Sequence, residues 1–159
     1  MSDLATLRFE ALEVGHIPHL LKIEAQVNTA PWSERAFMNE LVNSNAVFRV
    51  AFLNGQVVGY GGVWLLVDEA HITTVAVDPS HHRKGIGWKL VAELLYAAKE
   101  AGMDCSTLEV RAGNEAALRL YERFGFVREA VRKRYCPDNQ EDAVVMWLYD
   151  LPEWEVPAR

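Results

Sequence analysis

Residues 75–90 read VAVDPSHHRKGIGWKL, and they join two kinds of local structure. Upstream, ITTVAVD is rich in β-branched residues and reads as a strand. From Gly87 onward Trp88, Val91, Leu94, Leu95 and Ala98 recur at helical spacing, a pattern that ends near Gly102. Between the two lie paired histidines, Arg83, Lys84 and Gly85-Ile86-Gly87. Glycines let the backbone turn tightly and leave consecutive N–H groups open, while a helix N-terminus adds partial positive charge. Strand, loop and helix together suit a phosphate or pyrophosphate, with Arg83 and Lys84 as countercharge. A plain glycine turn capping a helix accounts for the same residues. The usual nucleotide motifs do not fit: there is no G-x-x-x-x-G-K-[ST], and the dinucleotide fingerprint lacks its third glycine.

Working outward, residues 6–12 read as a first strand, and Ile17, Leu20, Leu21, Ile23 and Glu24 as a short helix beginning near Pro18. Pro31-Trp32 breaks the chain, and Ser33 is placed to cap a second helix. Residues 47–53 and 57–66 are strand-like and joined by Asn54-Gly55, a hairpin signal. A further strand spans 70–77. Beyond the central helix, 105–111 reads as a strand, and Asn114 and Gly125 bracket a helix from Glu115 to Phe124. Residues 126–135 and 143–149 read as closing strands. This order predicts an α/β (α+β) fold with a mixed, mostly antiparallel central sheet flanked by helices.

The 159 residues suit one domain, taken as 1–151, with a short and loosely held tail over 152–159. Half of the residues are apolar and no apolar run has the length of a bilayer span, so no membrane association is expected. The opening residues have no export signal, and Cys105 and Cys136 form no CxxC or metal-spaced cluster, which points to a reducing, cytoplasmic setting. A net charge of −6 disfavours nucleic acid and suits a cationic partner. Scattered histidines such as His71 and His81 make no metal site, so no metal is expected.

The sequence resembles the GNAT superfamily of N-acetyltransferases in Val77-Asp78-Pro79 followed by His82-Arg83-Lys84-Gly85-Ile86-Gly87. His82 stands where that family usually has Gln or Arg. The segments Leu108-Glu109-Val110-Arg111-Ala112-Gly113-Asn114 and Ala117-Leu118-Arg119-Leu120-Tyr121-Glu122-Arg123-Phe124-Gly125-Phe126 are similar to the RimI-type subgroup, the ribosomal-protein-alanine N-acetyltransferases. So are Ala30-Pro31-Trp32-Ser33, Arg134-Tyr135-Cys136-Pro137 and Glu141-Asp142-Ala143. The resemblance implies the GNAT fold and acetyl-CoA as cosubstrate. It also implies transfer to a basic protein N-terminus, the alanine of a small-subunit ribosomal protein. A GNAT enzyme for another N-terminus, a lysine or a small amine is the first alternative, and a non-catalytic acyl-CoA-binding module the second.

The same resemblance implies cofactor contacts from Val75, Ala76, Val77, His82, Arg83, Lys84, Gly85, Ile86, Gly87, Trp88 and Asn114. It makes Glu109 the general base and Tyr121 the acid for the leaving thiolate. By pattern alone, Glu109 shares a strand face with Thr107 and Arg111, where an ordinary ion pair with Arg111 is the simpler reading. Tyr121 lies on the stripe Ala117, Leu120, Tyr121, Phe124, which reads as core. Trp32 suits either an acceptor pocket or a core anchor, and Arg132-Lys133-Arg134 reads as a solvated strand face.

Overall fold

The computed structural model describes residues 6–136 and 140–159; Met1–Ala5, and Pro137 of the 134–137 motif, lie outside the described residues. The chain forms β1 (Arg8–Ala11), α1 (Ile17–Val27), α2 (Glu34–Leu41), β2 (Ala46–Leu53), β3 (Gln56–Leu66) and β4 (Glu69–Val77). There follow α3 (Ile86–Glu100), β5 (Cys105–Arg111), α4 (Glu115–Phe124), β6 (Val127–Arg132) and β7 (Ala143–Leu148). The strands make one sheet in the order β1-β2-β3-β4-β5-β7-β6. All pairs are antiparallel except β4 with β5. The α3 connection between those two spans the crossover that a parallel pair requires.

Local chemistry sets the helix ends. Ser33 Oγ accepts from Ala36 N (3.1 Å), and Asn114 Oδ1 from Ala117 N (3.1 Å), each capping its helix. Gly125 closes α4 at φ +109° in the left-handed region that favours glycine. The amphipathic helices cover both faces of the sheet. On one, α1 and α2 bury Ile17, Leu20 and Phe37 against Phe48, Val50 and Tyr60. On the other, α3 and α4 bury Leu94, Leu118 and Phe124 with Val63, Leu108 and Met146. Gly61 allows α3 its close approach, since a Cβ there would meet Leu94 Cδ1 at 2.9 Å.

Two expectations need correction. The strand expected over 126–135 ends at Arg132, because the Asp142 carboxylate accepts from Arg134 N (3.0 Å) and Lys133 Nζ (3.3 Å) and turns the chain, with Arg134 at φ +52°. The segment after Leu151 is docked rather than loose. Trp154 is buried, its indole N–H donates to the Phe124 carbonyl (2.9 Å), and its own carbonyl accepts from Lys99 Nζ (2.6 Å). Its ring also packs on Tyr96 of α3, centroid to centroid 5.2 Å. Trp154 therefore ties α3 to the end of α4. Trp154→Ala should cost about 3–5 kcal/mol of unfolding free energy, the usual loss for a buried large aromatic. Denaturant melts checking this would show no change if the segment were undocked.

Candidate active site

The site begins where the sheet splits. Strands β4 and β5 pair only through Glu69–His71 against Cys105–Thr107 and then diverge. At the divergence β4 carries a bulge: Gly62 faces Thr74 and Val63 faces Ile72, leaving Thr73 as the extra residue. Bulges bend a strand and end regular pairing. Two cavities of about 440 Å³ each open from the split. The first lies between the diverging strands, with Trp32, Thr74, Glu109, Asn114 and Tyr135 in its walls. The second runs along Val77, His82, Arg83, Gly85, Gly87 and Leu120. They share Val75, Ala117 and Tyr121.

In the second cavity the loop conformation is built locally. Burial works against the Asp78 carboxylate, but the Ser80 amide and hydroxyl, each donating at 2.9 Å, outweigh it and hold its carboxyl below the usual range. This fixes the turn Pro79–His81 at the end of β4. The His82 ring folds back so that Nε2 donates to the Val77 carbonyl (2.8 Å) and braces the loop. Arg83 and Gly85 have φ of +65° and +86°, and α3 starts immediately after Gly85. The amides opening α3 have no intrahelical partners. They face an apolar wall of Ala116, Ala117 and Leu120 on α4, to which the sequence assigned no binding role.

Several expected contact residues have their side chains elsewhere, although for Val75–Val77 the expected contact is through backbone amides. Ala76 is buried among Leu20, Phe48 and Tyr60 on the opposite face, as alternation along β4 requires. Lys84 is exposed and does not line the cavity. Ile86 lines it but is itself buried beside Ala51, Val58 and Leu90. Trp88 is a core residue, its ring 4.2 Å from that of Phe124 with the Arg123 guanidinium at 4.8 Å. Only its backbone is available to a ligand. Asn114 lines the first cavity, not the second. Arg159 adds a cation that the sequence did not suggest, since its guanidinium lies where a Cβ on Gly85 would stand.

In the first cavity, alternation along β5 turns Glu109 away from the core, its side chain 16% exposed. Its Oε2 accepts from Arg132 (2.5 Å) and its Oε1 lies 3.4 Å from His71 Nε2. The expected pair with Arg111 does not form; Arg111 pairs with Glu141 (3.7 Å), whose Oε2 also accepts from Gly113 N (2.7 Å). Arg132 is thus no free surface cation, and its guanidinium stacks on Tyr135 at 4.0 Å. Neighbouring β6 could not be paired with Glu109 from spacing alone. Tyr121 is buried and packs edge-on against Phe126 (5.6 Å); burial pushes its phenol well above the usual range. It remains an O–H donor at neutral pH. Tyr121 is thus a core residue that also lies at the junction of the two cavities. Trp32 combines two positions in the same way, lining the cavity while packing on Phe37 (5.2 Å). No cluster of three or more metal-ligating side chains occurs among the described residues.

Residues 17–126 match the model of the Acetyltransferase (GNAT) family. The chain belongs to this family. A putative [ribosomal protein bS18]-alanine N-acetyltransferase of Bacillus subtilis is 36% identical, covering 93% of this chain and 97% of the relative. The crystal structure of the ribosomal-protein-S18-alanine N-acetyltransferase from Escherichia coli superposes with a TM-score of 0.83 at 32% identity, over 91% of this chain and 94% of that one. Ard1 from Thermoplasma volcanium gives 0.81 at 26% identity, over 97% and 99%. The likeness extends to the whole split sheet, well beyond the glycine loop.

The two glycines of that loop have different reasons to be glycine. Gly85 needs a positive φ and would push a Cβ into Arg159, whereas a Cβ on Gly87 would meet nothing closer than Val77 Cγ2 at 3.8 Å. Gly85→Ala should therefore lower stability by about 1 kcal/mol or more, and Gly87→Ala should not. Equal thermal melts for the two variants would contradict this.

Proposed function

We propose that this chain is an acetyl-CoA-dependent N-α-acetyltransferase acting on the N-terminal alanine of ribosomal protein bS18. The observation that carries the reading is the junction of two cavities at Tyr121, with Glu109 in the wall of one and the glycine loop in the other. Two relatives that nearly match the chain in length bear the name of that activity. The groove fits the cosubstrate in its own chemistry. Open amides, Arg83 and the nearby Arg159 guanidinium suit its phosphates, and the free edge of β4 suits the amides of its arm as an added strand would.

Acetyl transfer needs an uncharged amine, a donor for the oxyanion and a proton for the departing thiolate. Glu109 takes the proton from the acceptor ammonium, directly or through a water, and His71 at 3.4 Å can share it. The amine nitrogen then bonds to the acetyl carbon, and the carbon–sulfur bond breaks. A backbone N–H within Val75–Val77 donates to the developing oxyanion. Tyr121, kept neutral by burial, gives its proton to the thiolate, and the second proton, which the nitrogen sheds as the amide forms, returns to the phenolate directly or through a water. Attack is direct, because the family gives no cysteine of this chain a position as acetyl carrier.

Glu109→Gln should lower kcat by about 10²–10⁴-fold with acetyl-CoA affinity retained. Its defect should shrink above the pKa of an α-amino group, about 7.7–8.0, where the amine deprotonates unaided. Tyr121→Phe should also lower kcat, and less so for a thioester with a more acidic leaving thiol. Wild-type rates in both variants would overturn the mechanism.

The net charge of −6 adds an electrostatic expectation. Exposed charges act over about 8–10 Å at moderate ionic strength, so kcat/KM for a basic alanine-initiated peptide should fall with salt more steeply than for a neutral one. Product mass spectrometry assigns the acceptor. Acetyl groups found only on lysine side chains would remove the N-terminal reading.

A further inference from the structure

Glu24 is a fully buried carboxylate, and the mechanism above does not use it. It sits on the inner face of α1, three residues before the helix ends. Charged side chains are seldom buried without a partner. Yet no cation pairs with Glu24 among the described residues. Three donors converge on it instead. Tyr60 of β3 donates its hydroxyl to Oε1 (2.5 Å), and Asn28 donates its side-chain amide to the same oxygen (2.8 Å). The backbone N–H of Trp32 donates to Oε2 (2.7 Å). Tyr60 is itself fully buried, and burial together with the neighbouring carboxylate pushes its phenol upward, which keeps it a donor.

The direction of these bonds matters. One oxygen faces the fixed framework, a sheet tyrosine and the end of α1. The other holds the loop that joins α1 to α2, eight residues along the chain. Ala30 and Trp32 of that loop line the first cavity together with Glu109 and with Asn28 at the end of α1. The Trp32 ring completes the wall by packing on Phe37 and on Phe48 at 6.3 Å. The loop has no regular structure between Val27 and Glu34. A carboxylate accepts only, on both oxygens, so it can hold framework and loop at once.

We propose that Glu24 is the positioning residue for the acceptor: its buried carboxylate tethers the loop carrying Trp32 to helix α1 and so fixes one wall of the acceptor cavity. This rests on the reading of that cavity as the peptide site. Glu24 touches neither substrate and acts through Trp32.

The chemistry of the side-chain amide gives a selective test. In Glu24→Gln the single carbonyl oxygen is best spent on Tyr60 and Asn28, which turns the NH2 group toward the Trp32 N–H, donor against donor. The framework bonds survive and the loop bond is lost. Acceptor KM should then rise about tenfold, the effect of one buried donor left unpaired, while acetyl-CoA affinity stays within about twofold. Tyr60→Phe serves as the control, since it removes a framework bond and lowers Tm but leaves the loop tether, so acceptor KM should stay within about twofold. Equal KM rises in the two variants, or an unchanged KM in Glu24→Gln, would overturn the proposal.

A wild-type enzyme that acetylates no alanine-initiated peptide would overturn the functional reading and the proposal with it. Should Glu24→Gln not fold, the wild-type protein decides by NMR. The Trp32 amide should be protected from hydrogen exchange and its resonance should move when peptide is added. Fast exchange, or no response to a peptide the enzyme acetylates, would overturn the tether.

Discussion

The structure depends on a split inside its own sheet. Beyond His71 and Thr107, strands β4 and β5 leave each other while remaining parts of one layer. Each follows its outer neighbour: β4 stays paired with β3 as far as Val77, and β5 stays paired with β7 as far as Arg111. The inner edges beyond the split have no partner within the sheet, although backbone groups of this kind are obligate hydrogen bonders. Such an opening is tolerable where a ligand or water can satisfy it. Every group proposed to act on substrate lies on one of these edges, on the helix that follows it, or on a loop facing the gap.

The split also sorts charge. Groups that suit phosphate gather on one side, at the start of α3, where Arg83 and Arg159 stand beside the open amides. On the other side Glu109 is held between His71 and Arg132, drawn from β4 and β6. A carboxylate with two basic neighbours on separate strands is oriented from both. Electrostatic preorganisation of this kind costs no rearrangement during the reaction. The acidic pair Glu141 and Asp142 works from behind, holding Arg111 and the Gly113 amide on one hand and the turn at Lys133 and Arg134 on the other.

Where the determining chemistry is local, the sequence was legible. Strand β5 and helix α4 fall where periodicity, Asn114 and Gly125 put them, because caps and alternation act over a few residues. The turn at 82–87 and the helix start behind it were legible for the same reason. What could not be read was set by contacts distant in the chain. Arg132 looked like a surface cation because its partner Glu109 lies 23 residues away. Trp88 looked like a contact residue because it follows the loop, and its ring is claimed by Phe124. Glu24 looked like the polar side of a short helix. Its burial follows from Tyr60, a residue of another element whose hydroxyl no pattern of apolar spacing reveals.

Trp154 acts on the groove from outside the segment that the family model covers. The family match ends at residue 126, yet the indole that spans from Tyr96 on α3 to the Phe124 carbonyl on α4 comes from beyond it. Helices α3 and α4 are the two banks of the groove. Their separation is therefore set partly at the rear, by a side chain that meets no substrate. A change at such a rear contact can retune the width of a binding channel while every residue lining that channel stays the same.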